Sequence, residues 1–337
     1  MAHFKMLDPS PPIPNGVITD WDRDRYDEDT TRERSTRLKS MLDPRGPRCY
    51  FLKHMAVEMG LAPSPEPQKW DEYQPKVGHL QMGILFHEWI LDGEVNWVKC
   101  PHNRGTSPWK RVVTQSRGKT VVSEGQDKEL REWREALYAN PIARKILEDG
   151  GFREQVILWD ELTPFRDRNG AEGEAMIPCK AALDSLDFNG NIFCIKTTRA
   201  TDRKEWEWEV RKHHYDFSAA FYDRGRRSIP HLAGTSCTFT HLVVMKESTN
   251  TPAACYAFEL GEQWLELGCK KVVNSLNRLA RCRDEMELIQ AEGGDVRDAW
   301  PDDIAATQSD PVMPEQWDHV SYDDMTHNQT FTHEVAQ

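Results

Sequence analysis

Two strand-like runs joined by an Asn-Gly turn constrain this chain more than any other feature. Residues 178–187 (PCKAALDSLD) and 191–198 (NIFCIKTT) flank Phe188–Asn189–Gly190. Asn-Gly between such runs is the strongest short hairpin signal, so the two read as neighbouring antiparallel strands. The hairpin brings Asp184 beside residues 194–196 at one end of a sheet. A carboxylate and the Lys196 ammonium held together there can bind a hard divalent cation and activate a water beside it. Glu154 opens a preceding strand over 154–160 (EQVILWD) and can add a third ligand.

The rest of the chain surrounds this hairpin with helices. Residues 35–42 read as a short helix capped by Ser35 or Thr36, with Leu38, Met41 and Leu42 on one face. Residues 61–77 carry four prolines and read as a loop. From Gly78 the run HLQMGILFHEWIL is helical, with Leu80, Ile84, His87 and Leu91 close to one stripe. Residues 101–127 are polar and predict a loop or hairpin, and 128–139 an amphipathic helix. Asn140–Pro141 starts the next helix, which ends at Gly150–Gly151. Beyond the hairpin come a helix over 203–226, strands over 237–246 and 253–259, and a long helix over about 261–289. The order predicts an α/β fold with a mixed sheet, preceded by a helical N-terminal region. Residues 1–34 read as an extended polar arm and 35–290 as the folded domain, its sheet core within about 152–260. Residues 291–337 read as an acidic, irregular tail. No internal repeat is visible.

Several classes fall away. No window approaches the roughly 18–20 continuous apolar residues of a membrane helix. The N-terminus, MAHFKMLDPSPPIPNG, lacks the charged and apolar regions of a secretory signal. The expectation is a cytoplasmic protein with no membrane partner. Its eight cysteines form no C-x-x-C pair, which argues for reduced, mostly buried thiols over a zinc or iron–sulfur site.

The ordered motifs resemble those of the PD-(D/E)XK nuclease superfamily. The resemblance spans about residues 25–317 and is to its RecE-type (exodeoxyribonuclease VIII-like) exonuclease domain, near the lambda exonuclease/YqaJ group. STRLKSMLDPRGP resembles the family's N-terminal S-x-x-L-K-x-L…P element, and GILFHEWIL its histidine-bearing helix, with His87 in place. GKTVVSEGQ at 118–126 resembles its spacer. FREQVILW resembles the glutamate-led strand, with Glu154 in the glutamate position. CKAALD…CIKTT resembles the aspartate-to-lysine core, with Asp184, Lys196, Thr197 and Thr198 in register. YDFSAAFYDRG resembles the later Y-x-x-Q-A-A-F-Y helix, with Tyr215 and Tyr222 in register.

The resemblance implies a restriction-endonuclease-like mixed β-sheet core and a metal-dependent exonuclease acting on DNA ends in recombination or repair. Asp184 and Glu154 would be metal ligands with the Ile195 carbonyl, and His87 would join the catalytic group. Lys196 would orient or deprotonate the attacking water. Thr197, Thr198, Arg199, Arg203, Ser218 and Tyr222 would face DNA. Mg²⁺ or Mn²⁺ is the implied cofactor. The implied partners are linear double-stranded DNA ends, a single-strand annealing recombination protein and further copies of the chain.

Two positions depart from the pattern. Cys194 stands where the family has its second acidic ligand, and Ser218 where it has glutamine. A thiolate is a soft ligand and Mg²⁺ prefers oxygen. Three readings stay open: a silent homologue that binds DNA or a recombination partner, rescue by Asp187, or a softer metal held by Cys194. Asp187 and Asp184 point to opposite faces of a regular strand, so rescue requires a bulge or twisted turn.

Charge sharpens the expectation. The net charge is −12, which by itself argues against a polyanionic partner. From Asp284 to the end there are fourteen acids and one base, Arg297. The body before that is near neutral, and residues 196–227 hold nine Lys or Arg against six acids. A local basic face can therefore meet phosphates.

Overall fold

The computed structural model describes residues 16–19, 21, 23–43, 46–62, 77–149, 151–245 and 252–301. Eight strands occur among them: β1 (Val17–Thr19), β2 (Trp97–Cys100), β3 (Thr120–Ser123), β4 (Phe152–Arg166), β5 (Glu172–Leu186), β6 (Ile192–Thr197), β7 (Phe239–Met245) and β8 (Ala254–Glu259). The helices are α1 (Arg23–Glu28), α2 (Ser35–Leu38), α3 (Gly46–Tyr50), α4 (Ala56–Glu58), α5 (His79–Leu91) and α6 (Ser107–Gln115). They continue with α7 (Glu124–Ala139), α8 (Pro141–Glu148), α9 (Arg203–Lys212), α10 (Tyr215–Ser228) and α11 (Glu262–Ala291).

The main sheet has the order β1-β4-β5-β6-β7-β8. β6 and β7 pair in parallel and the other neighbours antiparallel, so the sheet is mixed. Alternation on the inner strands buries both faces. Ile192, Cys194, Phe239 and Val243 join Ile157, Trp159, Leu183, Phe217, Phe221, Trp264 and Leu276 in one core under α10 and α11. Ile195, Leu242 and Val244 join Leu85, Phe86, Leu130 and Leu137 in a second core under α5 and α7. Helices on both faces explain why FTHLVVM reads as a continuous apolar run. This is the mixed-sheet α/β architecture with flanking helices expected from the order of elements.

Several elements differ from the sequence reading. β4 and β5 form one long hairpin, in register from Phe152↔Leu186 to Arg166↔Glu172. Its turn is a second Asn-Gly, at Asn169–Gly170, where Asp167 Oδ1 accepts from the N–H of Asn169 (2.8 Å) and Ala171 (2.7 Å). Residues 101–127 contain α6 and β3 rather than a plain loop or hairpin, and β3 pairs in parallel with β2. Thr106 caps α6 with Pro108 in its first turn. The single helix expected over 203–226 is two, broken where His214 takes φ +49°.

The described part of residues 1–34 is not a free arm. β1 pairs with β4, and the Glu33 N–H donates to the Pro178 carbonyl at 2.7 Å. The Glu33 carboxylate is fully buried and accepts from Tyr50 Oη (2.5 Å) and Arg283 Nη2 (2.6 Å). Past Ala291, Ala299 and Trp300 return to the core, and Trp300 stacks on Tyr50 at 5.6 Å between ring centroids. The packed unit therefore extends on both sides of 35–290. Residues 302–337 lie outside the described residues. Among those described, no helix is long and apolar enough to cross a membrane.

Candidate active site

The site lies where β5 and β6 part. The two strands pair only at Ser185↔Phe193 and Leu186↔Ile192. Beyond that point β6 follows β7, and the Ile195 N–H donates to Asp184 Oδ2 (2.8 Å) instead of to a strand carbonyl. The carboxylate thus holds the notch open and presents its remaining lone pairs to it.

β4 supplies the second acid. Glu154 stands opposite Asp184 by continuation of the register, but that one pairing is interrupted. Its φ is +49°, a left-handed value that costs an L-residue roughly 1–2 kcal/mol. Two carboxylates directly opposed on a sheet repel as well. Such strain concentrates where a site needs it.

α5 supplies the third donor. Gly83 lies on the helix face against β6, where an added Cβ would sit 3.1 Å from Thr197 Oγ1. This absence of a side chain lets the helix approach, and His87 follows one turn later on the same face. His87 Nδ1 is 3.8 Å from Asp184 Oδ2. One ligand atom each from His87, Glu154 and Asp184 lie within 4.8 Å of one another, and all three residues are half-buried. Two carboxylates and an imidazole suit a hard or borderline divalent cation such as Mg²⁺ or Mn²⁺.

Lys196 closes the site from the other side, with Nζ 3.8 Å from Asp184 Oδ2. Burial alone would lower its pKa, but Asp184 chiefly reverses this and holds it above the usual lysine value. Its ammonium also lies 5.8 Å from the centre of the Tyr215 ring. Lys39 sits over the same ring at 5.6 Å and donates to the His213 carbonyl (2.8 Å). Burial and then Lys196 push Lys39 down to about 8. His241, fully buried behind Tyr215, is held neutral by burial and by these two lysines. Sequence reasoning missed Lys39 and His241. The Lys39 signal was present in the L-K of STRLKSML, whereas nothing local marks His241.

The other candidate residues fall into different surroundings. Cys194 is 2% exposed in the core under α10, and burial followed by Asp184 keeps its thiol well above the ordinary value. It does not belong to the group formed by His87, Glu154 and Asp184. Asp187 closes the hairpin turn. Its Oδ1 accepts from the N–H of Asn189 (2.9 Å) and Asn191 (2.8 Å), and its Oδ2 from Asn191 Nδ2 (2.8 Å). Its carboxylate is thereby committed to the turn. Ile195 lies between Asp184's hydrogen bond and the second core.

Thr198 is buried and ties β6 to α9, donating to Glu209 Oε2 at 2.6 Å. Thr197 faces Gly83, and Arg199 is exposed near His79. Arg203 pairs with Glu207 at 2.7 Å. Ser218 is half-buried on α10. Tyr222, one turn further, has its hydroxyl pKa raised by burial and then by Cys194.

The family described as a PDDEXK-like domain of unknown function (DUF3799) matches residues 66–293. Among solved structures, the chain is similar to a candidate exonuclease from Eubacterium rectale. The two share 13% identity with a TM-score of 0.47, over 78% of this chain and 86% of that one. No curated protein matches the chain.

Proposed function

The chain belongs to the PDDEXK-like family that matches it, which supports a nuclease, and on that premise we propose a divalent-metal-dependent exonuclease acting on DNA ends. The observation that carries this reading is the convergence of His87, Glu154 and Asp184 within 4.8 Å, with Lys196 at 3.8 Å from Asp184. Glu154, Asp184 and His87 would hold the cation, with the Ile195 carbonyl as a backbone ligand. The cation would polarise the phosphodiester and ease ionisation of a water. Lys196 orients that water and offsets the charge that builds on the phosphate oxygens. Asp184 fixes Lys196 as well as the notch. Thr197, Arg199 and Arg203 border the same strand end and would meet DNA with Ser218 and Tyr222. Thr198 would act through α9, because its hydroxyl is engaged with Glu209. The finer reading is a RecE-type enzyme of recombination or repair, cytoplasmic and working beside a single-strand annealing protein, with no requirement for Cys194 as a ligand.

The test is nucleotide release from linear double-stranded DNA with Mg²⁺ or Mn²⁺. Metal-dependent release is expected, with a loss of at least about 10²-fold in Lys196→Ala. No release by the unaltered protein, or equal release by the variant, overturns the proposal.

The buried Cys194 motivates a second reading: an impaired homologue that binds DNA or a recombination partner. Here Cys194→Asp distinguishes the two. Appearance of Mg²⁺-dependent cleavage only in the variant favours the impaired homologue, and equal cleavage by both proteins removes it.

A further inference from the structure

A cleft of about 410 Å³ opens directly beside the metal-ligating group and is lined by Trp21, Tyr26, Asp92, Glu94, Glu154, Val156 and Ala182. Its volume is at the lower end of the roughly 300–1,000 Å³ of small-ligand clefts. The N-terminal segment and the sheet build it together. Trp21 and Tyr26 pack with Val156, Leu158 and Ala182 in a small apolar cluster on the sheet. Both rings are held in place. The Arg25 guanidinium lies 4.5 Å from the centre of Trp21, and the Lys180 ammonium 4.6 Å from that of Tyr26. Trp21 remains half-exposed in the cleft wall. The rim is different in kind. Asp92 and Glu94 follow the end of α5 on an exposed loop, and Glu154 joins them from β4.

Resting on the nuclease reading, we propose that this cleft is a nucleobase subsite that takes the base next to the scissile phosphate. The occupant follows from the chemistry of the walls. Asp92 and Glu94 on the rim repel a phosphate group from the cleft itself. A flat, uncharged ring fits the aromatic and aliphatic wall, and aromatic side chains accept any base by stacking. The rim adds a preference, because carboxylates accept hydrogen bonds and do not donate them. Adenine and cytosine carry an amino donor along their major-groove edge, whereas thymine offers an oxygen and a methyl group there. Glu154 belongs to both the cleft and the metal-ligating group, so a seated base sets its own phosphate beside Asp184 and Lys196.

The experiment uses the full chain with Ca²⁺ and oligonucleotides carrying 2-aminopurine at successive positions from one end. A change in emission confined to the position beside the cleaved bond is expected. Trp21→Leu should abolish it and weaken binding about 5- to 150-fold, the range of one lost stacking contact. Equal emission and affinity in Trp21→Leu overturn the subsite while leaving the nuclease reading intact. Absence of any DNA binding by the unaltered protein overturns both. Asp92→Asn, on the exposed loop, provides a second variant that leaves the aromatic wall untouched. Cleavage is compared on substrates that differ only in that one base. The unaltered chain should disfavour thymine and the variant should lose that bias; an unaltered chain without bias, or a variant that keeps it, overturns the assigned base edge.

Discussion

Glu154→Gly should make the protein more stable and less active at once. Glu154 holds φ +49° on a strand, directly across from a second carboxylate. Relief of the left-handed backbone returns about 1–2 kcal/mol. Removing one of two opposed like charges adds roughly 0.2–1 kcal/mol. Glycine's greater freedom in the unfolded chain takes back about 0.5–1 kcal/mol. The balance favours the variant by about 1 kcal/mol, a rise in Tm of roughly 2 °C for a domain of this size. Thermal unfolding in EDTA, followed by circular dichroism, reads this directly. Excess Mn²⁺ should then raise the Tm of the unaltered protein more than that of the variant, because a ligand stabilises only the state that binds it. Glu154→Gln separates the two contributions, since it removes the charge but keeps the strained backbone. A variant Glu154→Gly that melts below the unaltered protein in EDTA, or that keeps the whole Mn²⁺-induced rise, would refute the reasoning.

Three further perturbations have defined outcomes. Gly83→Ala gains about 1 kcal/mol of helix propensity but places a Cβ 3.1 Å from Thr197 Oγ1, lifting α5 and His87. Its Tm should change little, while its Mn²⁺ affinity by calorimetry falls; unchanged affinity would sever the link between the glycine and the site. Burial, then Arg37, lowers the His54 pKa to about 4. Between about pH 4 and 6.5 the unfolded chain takes up a proton that the folded one refuses, so stability should fall on acidification from pH 7 to 5. His54→Gln should flatten that slope, and an equal slope in the variant would contradict the assignment. Removing residues 302–337 deletes eight acids and no Lys or Arg, and should raise DNA affinity at low salt. Equal affinity would exclude the tail as a competitor for the basic face. The cut must follow Pro301, because Trp300 is part of the core.

The order of elements was legible because the apolar periods are strong and the punctuation is local. Asn189–Gly190 marks one hairpin, and Asn140–Pro141 marks the start of α8. The lengths of β4 and β5 were less so. Their outer halves lie beyond the inner run of strongly apolar residues, and their register is fixed by pairing with each other. β1 and Trp300 were missed for a related reason. Each is a short segment in polar sequence whose place is decided by a distant partner, β4 for one and Tyr50 for the other. At the site, Asp184, Glu154, Lys196 and His87 could be picked out from motif order. Their geometry could not, since it depends on one left-handed residue, one glycine on α5 and a backbone N–H turned toward a side chain. Lys39 and His241 reach the site only through tertiary packing around Tyr215.

The central claim is that His87, Glu154 and Asp184 form one cation site with Lys196 at its edge. Anomalous diffraction from a Mn²⁺-soaked crystal tests it most directly. The account predicts one peak or a close pair of peaks among these three side chains, lost in Asp184→Asn. A peak at the Cys194 sulfur, or none within coordination distance of Asp184, would contradict it.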